Sequence, residues 1–321
     1  MKLLLFSILL GLVTLPGIAA TITFGTGGNQ FSIDFVGVGN AGNADDDTGY
    51  GGVSYGYQIG VHEVSRDMIT KANALSSSLH LPLENMANFG GNTADRPATG
   101  MSWNDAARFV NWLNTSNGFQ AAYQFLDPHR NGGYDPNLSL WSSEEAWQLG
   151  GENRFRHKDA HYFLPSEDEW YKAAHYNPGT SGYFDYATES DTVPTAVTSG
   201  TTEGTAVHSQ NRLTGPADII NAGGLSSYGT MAQNGNVWEW AESGFHGRNN
   251  LSSESRVVRG GSWEDTSTYL SSSFRGELET GDFDISLGFR VASVPEPSTL
   301  WMILVGAVGL ITSRYRKLRL I

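Results

Sequence analysis

The chain has 321 residues, a formal net charge of −13, 39 glycines and no cysteine. So acidic a balance excludes the basic stripe that nucleic acid requires, and the missing thiols mean the fold is held without disulfides. Aromatic residues at 12% beside that much glycine favour a loop-rich, aromatic-packed domain over a helical bundle.

Met1-Lys2 opens a short positive region, Leu3–Leu15 is almost wholly apolar, and Pro16-Gly17-Ile18-Ala19-Ala20 closes with small residues. That order predicts a secretory signal peptide over residues 1–20, cleaved by signal peptidase after Ala20. Apolar and polar residues then alternate through Ile22, Phe24, Phe31, Ile33 and Phe35, which predicts short strands, and again from Tyr55 to Val64. Between them Asp45-Asp46-Asp47-Thr48-Gly49 reads as a solvated turn, because a calcium loop spaces its oxygens at alternate positions. A short helix is expected from Arg66.

Three capping signatures follow, each a serine with an acid three residues on: Ser102 with Asp105, Ser142 with Glu145, and Ser166 with Glu169. Each predicts a helix start, with Ala106, Phe109, Val110 and Leu113 on one face of the first, Trp147 and Leu149 in the second, and Trp170, Ala173 and Ala174 in the third. Gly150 and Asn177-Pro178 are the expected stops. The acids Glu167, Asp168 and Glu169 lie in a first helical turn, where they complement the helix dipole without any catalytic role. Beyond residue 178 the chain is rich in Gly, Ser, Thr and Asn, with strands expected at Val257-Val258 and Phe289-Arg290-Val291. The whole reads as a single α+β domain over residues 21–293.

At the far end Val294-Pro295-Glu296-Pro297 leads into an apolar run from Leu300 to Ile311, then into Arg314, Arg316, Lys317 and Arg319. The run is shorter than the ~20 residues that span a bilayer comfortably, which suits a transient anchor, and the cations behind it would stay cytoplasmic. Residues 294–321 thus resemble the PEP-CTERM sorting signal, the tail that exosortases process in Gram-negative bacteria. The resemblance implies an exported protein that begins as an inner-membrane precursor, by transient insertion of the C-terminal helix, and ends at the cell surface or in the extracellular matrix.

Several phrases match one family in order. They are Ile59-Gly60-Val61-His62-Glu63-Val64-Ser65, Pro97 to Ala106 with Ser102-Trp103-Asn104-Asp105-Ala106, Phe163-Leu164-Pro165-Ser166-Glu167-Asp168-Glu169-Trp170, and Asn234-Gly235-Asn236-Val237-Trp238-Glu239-Trp240, followed by Arg259-Gly260-Gly261-Ser262-Trp263 and Gly288-Phe289-Arg290. The chain resembles the sulfatase-modifying-factor family, whose founding activity is the formylglycine-generating enzyme. The resemblance implies the family's variant of the C-type-lectin-like fold. The founding enzyme holds copper with two cysteines, soft ligands suited to copper(I). Asp265 and Leu270 fall where those thiolates would be, so copper chemistry of that kind is not expected.

The family also implies a structural calcium, with carbonyls from Gly235 and Val237 and the carboxylate of Glu239, although Ala232 stands where an Asp or Asn is usual. Arg275 and Arg290 match family arginines expected to pair with buried acids. Trp238, Trp240 and Trp263 are read as core rather than as sugar platforms. His157, His161 and His175 are the nearest histidine set and read as packing or solvent residues. The leading expectation is a non-catalytic exported binding or structural module, with extracellular polysaccharide or surface proteins as partners. The rivals are an enzyme of unrecognised chemistry on the same scaffold and an accessory partner of surface sulfatases.

Overall fold

A computed structural model describes residues 20–126 and 138–294. In chain order its main elements are β1 (Ala20–Phe24), β2 (Phe31–Val38), β3 (Tyr57–Gly60), α1 (Arg66–Leu75), α2 (Trp103–Ser116), β4 (Ala146–Trp147), β5 (Asn153–His157), β6 (Tyr162–Phe163), α3 (Glu167–His175), β7 (Trp238–Gly244), β8 (Arg256–Arg259), β9 (Gly276–Leu278), β10 (Leu287–Gly288) and β11 (Ala292–Ser293). β2 buries Phe31, Ile33 and Phe35 while exposing Ser32 and Asp34, the period of two that one dry face imposes. It pairs with β1 in a hairpin that sets Ile22 opposite Ile33.

Two sheets frame the molecule. The first is antiparallel throughout, in the order β1-β2-β3-β11-β6; the second runs β9-β8-β7-β10, with only β7 and β10 parallel. α2 lies against β6 and α3 against β7. Phe109, Val110 and Leu113 on α2 join Phe35, Ile59, Phe163, Trp240 and Phe289 in the principal core. Two indoles bind α2 to β7: Trp103 donates to the carbonyl of Ala241 at 3.1 Å and Trp240 to that of Met101 at 3.0 Å. Trp240 and Trp263 are fully buried and belong to the core, whereas Trp238 is only half-buried and leans on Tyr269 and Phe274.

The α+β expectation holds, with three differences in detail. The strand expected from Tyr55 to Val64 shrinks to β3, because the chain turns at Val61 to reach α1. The second capping signature starts no helix. Ser142 Oγ does bond to Glu145 at 2.9 Å, and the amides of Glu145 and Ala146 make a single turn back to the Ser142 carbonyl. Gly150 and Gly151, at φ of +78° and +116°, then close a hairpin that pairs β4 with β5 and buries Trp147 against Tyr55 and Phe163. Tertiary burial of one indole outweighs a local helix signal. Phe289-Arg290-Val291 is not itself a strand; it carries the chain from β10 in one sheet to β11 in the other.

Candidate functional site

The start of α3 is where the charged residues gather. Ser166 accepts the Glu169 amide and Glu169 accepts the Ser166 amide, a complete capping box. Glu169 then serves a second purpose inside the protein. Arg156, on β5, donates to both of its oxygens at 3.0 and 2.8 Å and to both oxygens of Glu242 on β7. Tyr55 adds a hydroxyl bond to Glu169 at 2.7 Å, and Tyr123 one to Glu242 at 2.8 Å. Burial alone would raise the Glu169 carboxyl; the Arg156 guanidinium and these donors outweigh it and hold the group below its usual range. Two residues earlier, Glu167 takes Arg259 at 2.5 Å and Arg275 at 2.7 Å. Arg259 is completed by the carbonyls of Ser272 and Phe274. These carboxylates are thus committed to holding α3, β5, β7 and β8 together.

Asp168 is the acid of that turn left over. Its side chain points into a cleft of about 130 Å³ lined by Gly52 to Tyr55, Trp147, Leu149 to Asn153, Arg156, Ser166, Ser243 and Asn249. One carboxylate oxygen accepts the Gly51 amide at 3.0 Å; the other has no hydrogen-bond partner among the described residues. Burial, with Glu167, Asp45 and Glu169 close by, outweighs that one donor and raises the Asp168 carboxyl to about 6. Arg156 reaches the cleft already neutralised by its two glutamates. The rim is hydroxyl and amide: Ser54 is exposed, and Asn249 and Ser243 are half-buried. Tyr55 and Trp147, packed edge-on at 5.7 Å, form the aromatic wall. Shape, polarity and one carboxylate oxygen without a partner make this cleft the candidate site.

Comparison with known proteins identifies the scaffold that carries this cleft. Residues 46–294 match the model of the sulfatase-modifying factor enzyme 1-like domain. The chain belongs to that family. Residues 293–317 match the PEP-CTERM protein-sorting motif, so the protein is exported and sorted by exosortase. Treponema denticola variable protein 1 is similar at 20% identity and a TM-score of 0.56, over 86% of this chain and 99% of that one. CarF is similar at 21% identity and a TM-score of 0.56, over 82% and 99%. PvdO from Pseudomonas aeruginosa is similar at 15% identity and a TM-score of 0.50, over 85% and 98%. At these identities the likeness is one of fold. No curated protein matches the sequence.

On this family scaffold the positions expected to carry metal are engaged otherwise. Asp265 accepts the Ser262 amide at 2.9 Å and its hydroxyl at 2.6 Å, closing a turn, and Leu270 is buried apolar. A carboxylate and an aliphatic chain do not fit a soft copper ion. Glu239 is buried, and its oxygens take Arg290 at 2.6 and 2.5 Å and the Trp170 indole at 2.8 Å. Arg290 also collects the carbonyls of Gly60, Val61 and Met231. The oxygens of Glu239 are therefore taken by a guanidinium and an indole, an arrangement that does not fit the carboxylate role in the calcium site the sequence suggested. Beside it Glu63, held by Asn236 at 2.6 Å, is pushed up by burial and by Glu239, against the pull of Arg290. Among the described residues no group of three or more His, Asp or Glu side chains is placed to hold a metal.

The three histidines do not meet at a site. His157 lies edge-on to Trp141, His161 stacks on Phe119 at 4.4 Å, and His175 is buried against Trp170 and Tyr171. Arg275 and Arg290 pair with acids as expected. Val294 donates its amide to the His161 carbonyl, so the first residue of the sorting signal is still held by the domain. Pro295, Glu296 and Pro297, like residues 1–19 of the signal peptide, lie outside the described residues; Ala20 begins β1. Among the described residues no helix is long and apolar enough to cross a membrane. Sequence reasoning missed the cleft, and missed Asp168 as its charged group. Its three-acid turn was explained by the helix dipole alone, and no local signal separates Asp168 from its neighbours.

Proposed function

We propose that this exported protein is a non-catalytic recognition module, and that the cleft beside α3 takes an extracellular polysaccharide. The observation that carries the reading is the division of labour in one helical turn. Glu167 and Glu169 are consumed by arginines as framework, while Asp168 is held half-buried and uncommitted at an open, hydroxyl-lined cleft. The absence of cysteine removes the family's copper chemistry and leaves the frame intact. Export through the sorting motif supports this reading, because extracellular polysaccharide lies on the same side of the membrane as an exported module. Processing involves signal peptidase and exosortase, and the destination proposed is the cell surface or the extracellular matrix.

Titration calorimetry against polysaccharide from an exosortase-bearing Gram-negative bacterium tests this. Saturable binding by the wild type, abolished in Ser54→Trp, is the expected result; Ser54 is an exposed rim residue, so the indole fills the cleft without entering the core. Binding that survives the substitution would remove the cleft from the function.

A second reading is an enzyme of unrecognised chemistry, favoured by one observation: a carboxyl near 6 suits general acid–base work at neutral pH. It requires that Asp168→Asn abolish turnover of a bound glycan while binding persists.

A further inference from the structure

The charges lining the cleft do not balance. Arg156 is its one cation, and that guanidinium spends its donors on Glu169, Glu242 and the Leu164 carbonyl. Two carboxylates oppose that single cation inside the triad itself. The remaining charged lining groups are Asp168 and Glu152; Glu152 accepts the Ser143 hydroxyl at 3.1 Å, and its one cation is Arg154, at 3.9 Å across an exposed surface. Arg259 and Arg275 lie nearby but are bound to Glu167 and do not line the cleft. A neutral sugar would donate hydroxyls to Asp168 without supplying a countercharge, and an anionic sugar would add repulsion.

We propose that the ligand of this cleft is an amino sugar with a free ammonium group, seated against Asp168 while its hydroxyls meet the rim of Ser54, Ser243 and Asn249. The inference rests on the reading of the cleft as a polysaccharide site and names the class of sugar. An ammonium at hydrogen-bond distance from Asp168 restores the missing countercharge in a partly desolvated place, where such pairs are strongest. The rim favours a sugar over a lysine side chain, because a lysine brings one ammonium on an apolar stem and leaves the hydroxyl and amide groups without partners. Half-buried Tyr55, backed by the buried Trp147, offers the aromatic edge of the cleft to the C–H side of a pyranose.

Asp168 is faced by Glu167 and Glu169 on its own helix, by Asp45 and the Gly51 amide from the preceding loop, by Tyr57 from β3 and by Arg275. Most of these are acids or neutral, so the incoming ammonium is the group that lowers the cost of ionising it. Affinity for an ammonium ligand accordingly rises as pH goes from 5 to 7.

The test uses the full chain in detergent micelles, a fully deacetylated glucosamine tetrasaccharide, its N-acetylated counterpart and a tetralysine peptide, titrated by calorimetry at pH 5 and 6.5. The deacetylated tetrasaccharide is expected to bind at least about tenfold more tightly than the acetylated one, which differs in the ammonium charge. Asp168→Asn is expected to remove that preference, and Glu152→Gln on the exposed rim to weaken it by a smaller factor. Equal binding of the two sugars, lost in Ser54→Trp, would overturn the ammonium inference and leave the cleft a glycan site. Binding of tetralysine in place of either sugar, sensitive to Asp168→Asn, would assign the cleft to a peptide cation and overturn the amino-sugar class. No binding of any of the three probes overturns this inference, whereas failure of the native polysaccharide to bind overturns the reading beneath it.

Discussion

Asp168 shows what a desolvated carboxyl costs its own fold. Its carboxyl ordinarily loses its proton near 3.8 and in the folded protein does so at about 6. The folded state therefore holds that proton more tightly than the unfolded chain, and the group weakens the fold progressively as pH rises from about 4 to about 6. Two pH units correspond to about 3 kcal/mol as an upper figure. Asp168→Asn should raise the melting temperature at pH 7, by an amount equivalent to about 1–3 kcal/mol, and leave it nearly unchanged below pH 4. Thermal unfolding at the two pH values decides it. A variant less stable than wild type at pH 7 would mean the carboxylate is already well paired and the cleft has no charge to offer. Glu169, one residue on, has the opposite sign: Arg156 holds it ionised, and it stabilises wherever it is charged.

At the scale of single elements, three look-alike serine–acid pairs separate into two classes. Ser102 and Ser166 each accept the amide three residues on, and Asp105 and Glu169 return the bond. Ser142 bonds Glu145 side chain to side chain and caps nothing. Ser102→Ala and Ser166→Ala should each lose about 1 kcal/mol or somewhat more, while Ser142→Ala should lose no more than about 0.5 kcal/mol. Urea unfolding of the three variants measures this, and an equal loss in all three would restore a helix at Ser142. The Gly235–Glu239 loop makes a similar point. With Arg290 satisfying Glu239 and three carbonyls, a chelator should shift the melting temperature by less than about 1 °C, equivalent to a few tenths of a kcal/mol. A clear drop on chelation, reversed by calcium, would return the loop to the metal.

Across the whole molecule, two desolvated imidazoles, half-buried His62 and buried His175, lower stability in acid. Burial and Arg290 lower His62 to about 4, and burial and Arg259 lower His175 to about 3. Both are held neutral, so the stability they permit is complete above 6.5 and is lost progressively as pH falls from 6.5 to about 4 for His62 and about 3 for His175. His175→Phe removes the titration at the loss of the ring's one hydrogen bond, to the Phe184 backbone; Nδ1 has no partner. It should flatten the fall in melting temperature between pH 6.5 and 4; an unchanged slope would place the acid-sensitive group elsewhere.

The same scale explains what could be read before folding. Both ends of the chain, the order of the family phrases, the alternation in β2 and the capping boxes at Ser102 and Ser166 depend on residues within a few positions of one another, so sequence alone determined them. Export, the family and the α+β class follow from these. Only the tertiary structure decided that Trp147 would be buried in a hairpin rather than ride on a helix, that Arg290 would occupy Glu239, and that Asp168 would face a cleft. Each of those outcomes depends on a partner far along the chain: Gly51 lies 117 residues from Asp168, and Arg290 lies 51 from Glu239. A carboxyl's burial and its countercharge are properties of what packs around it, and no local pattern of residue types encodes them.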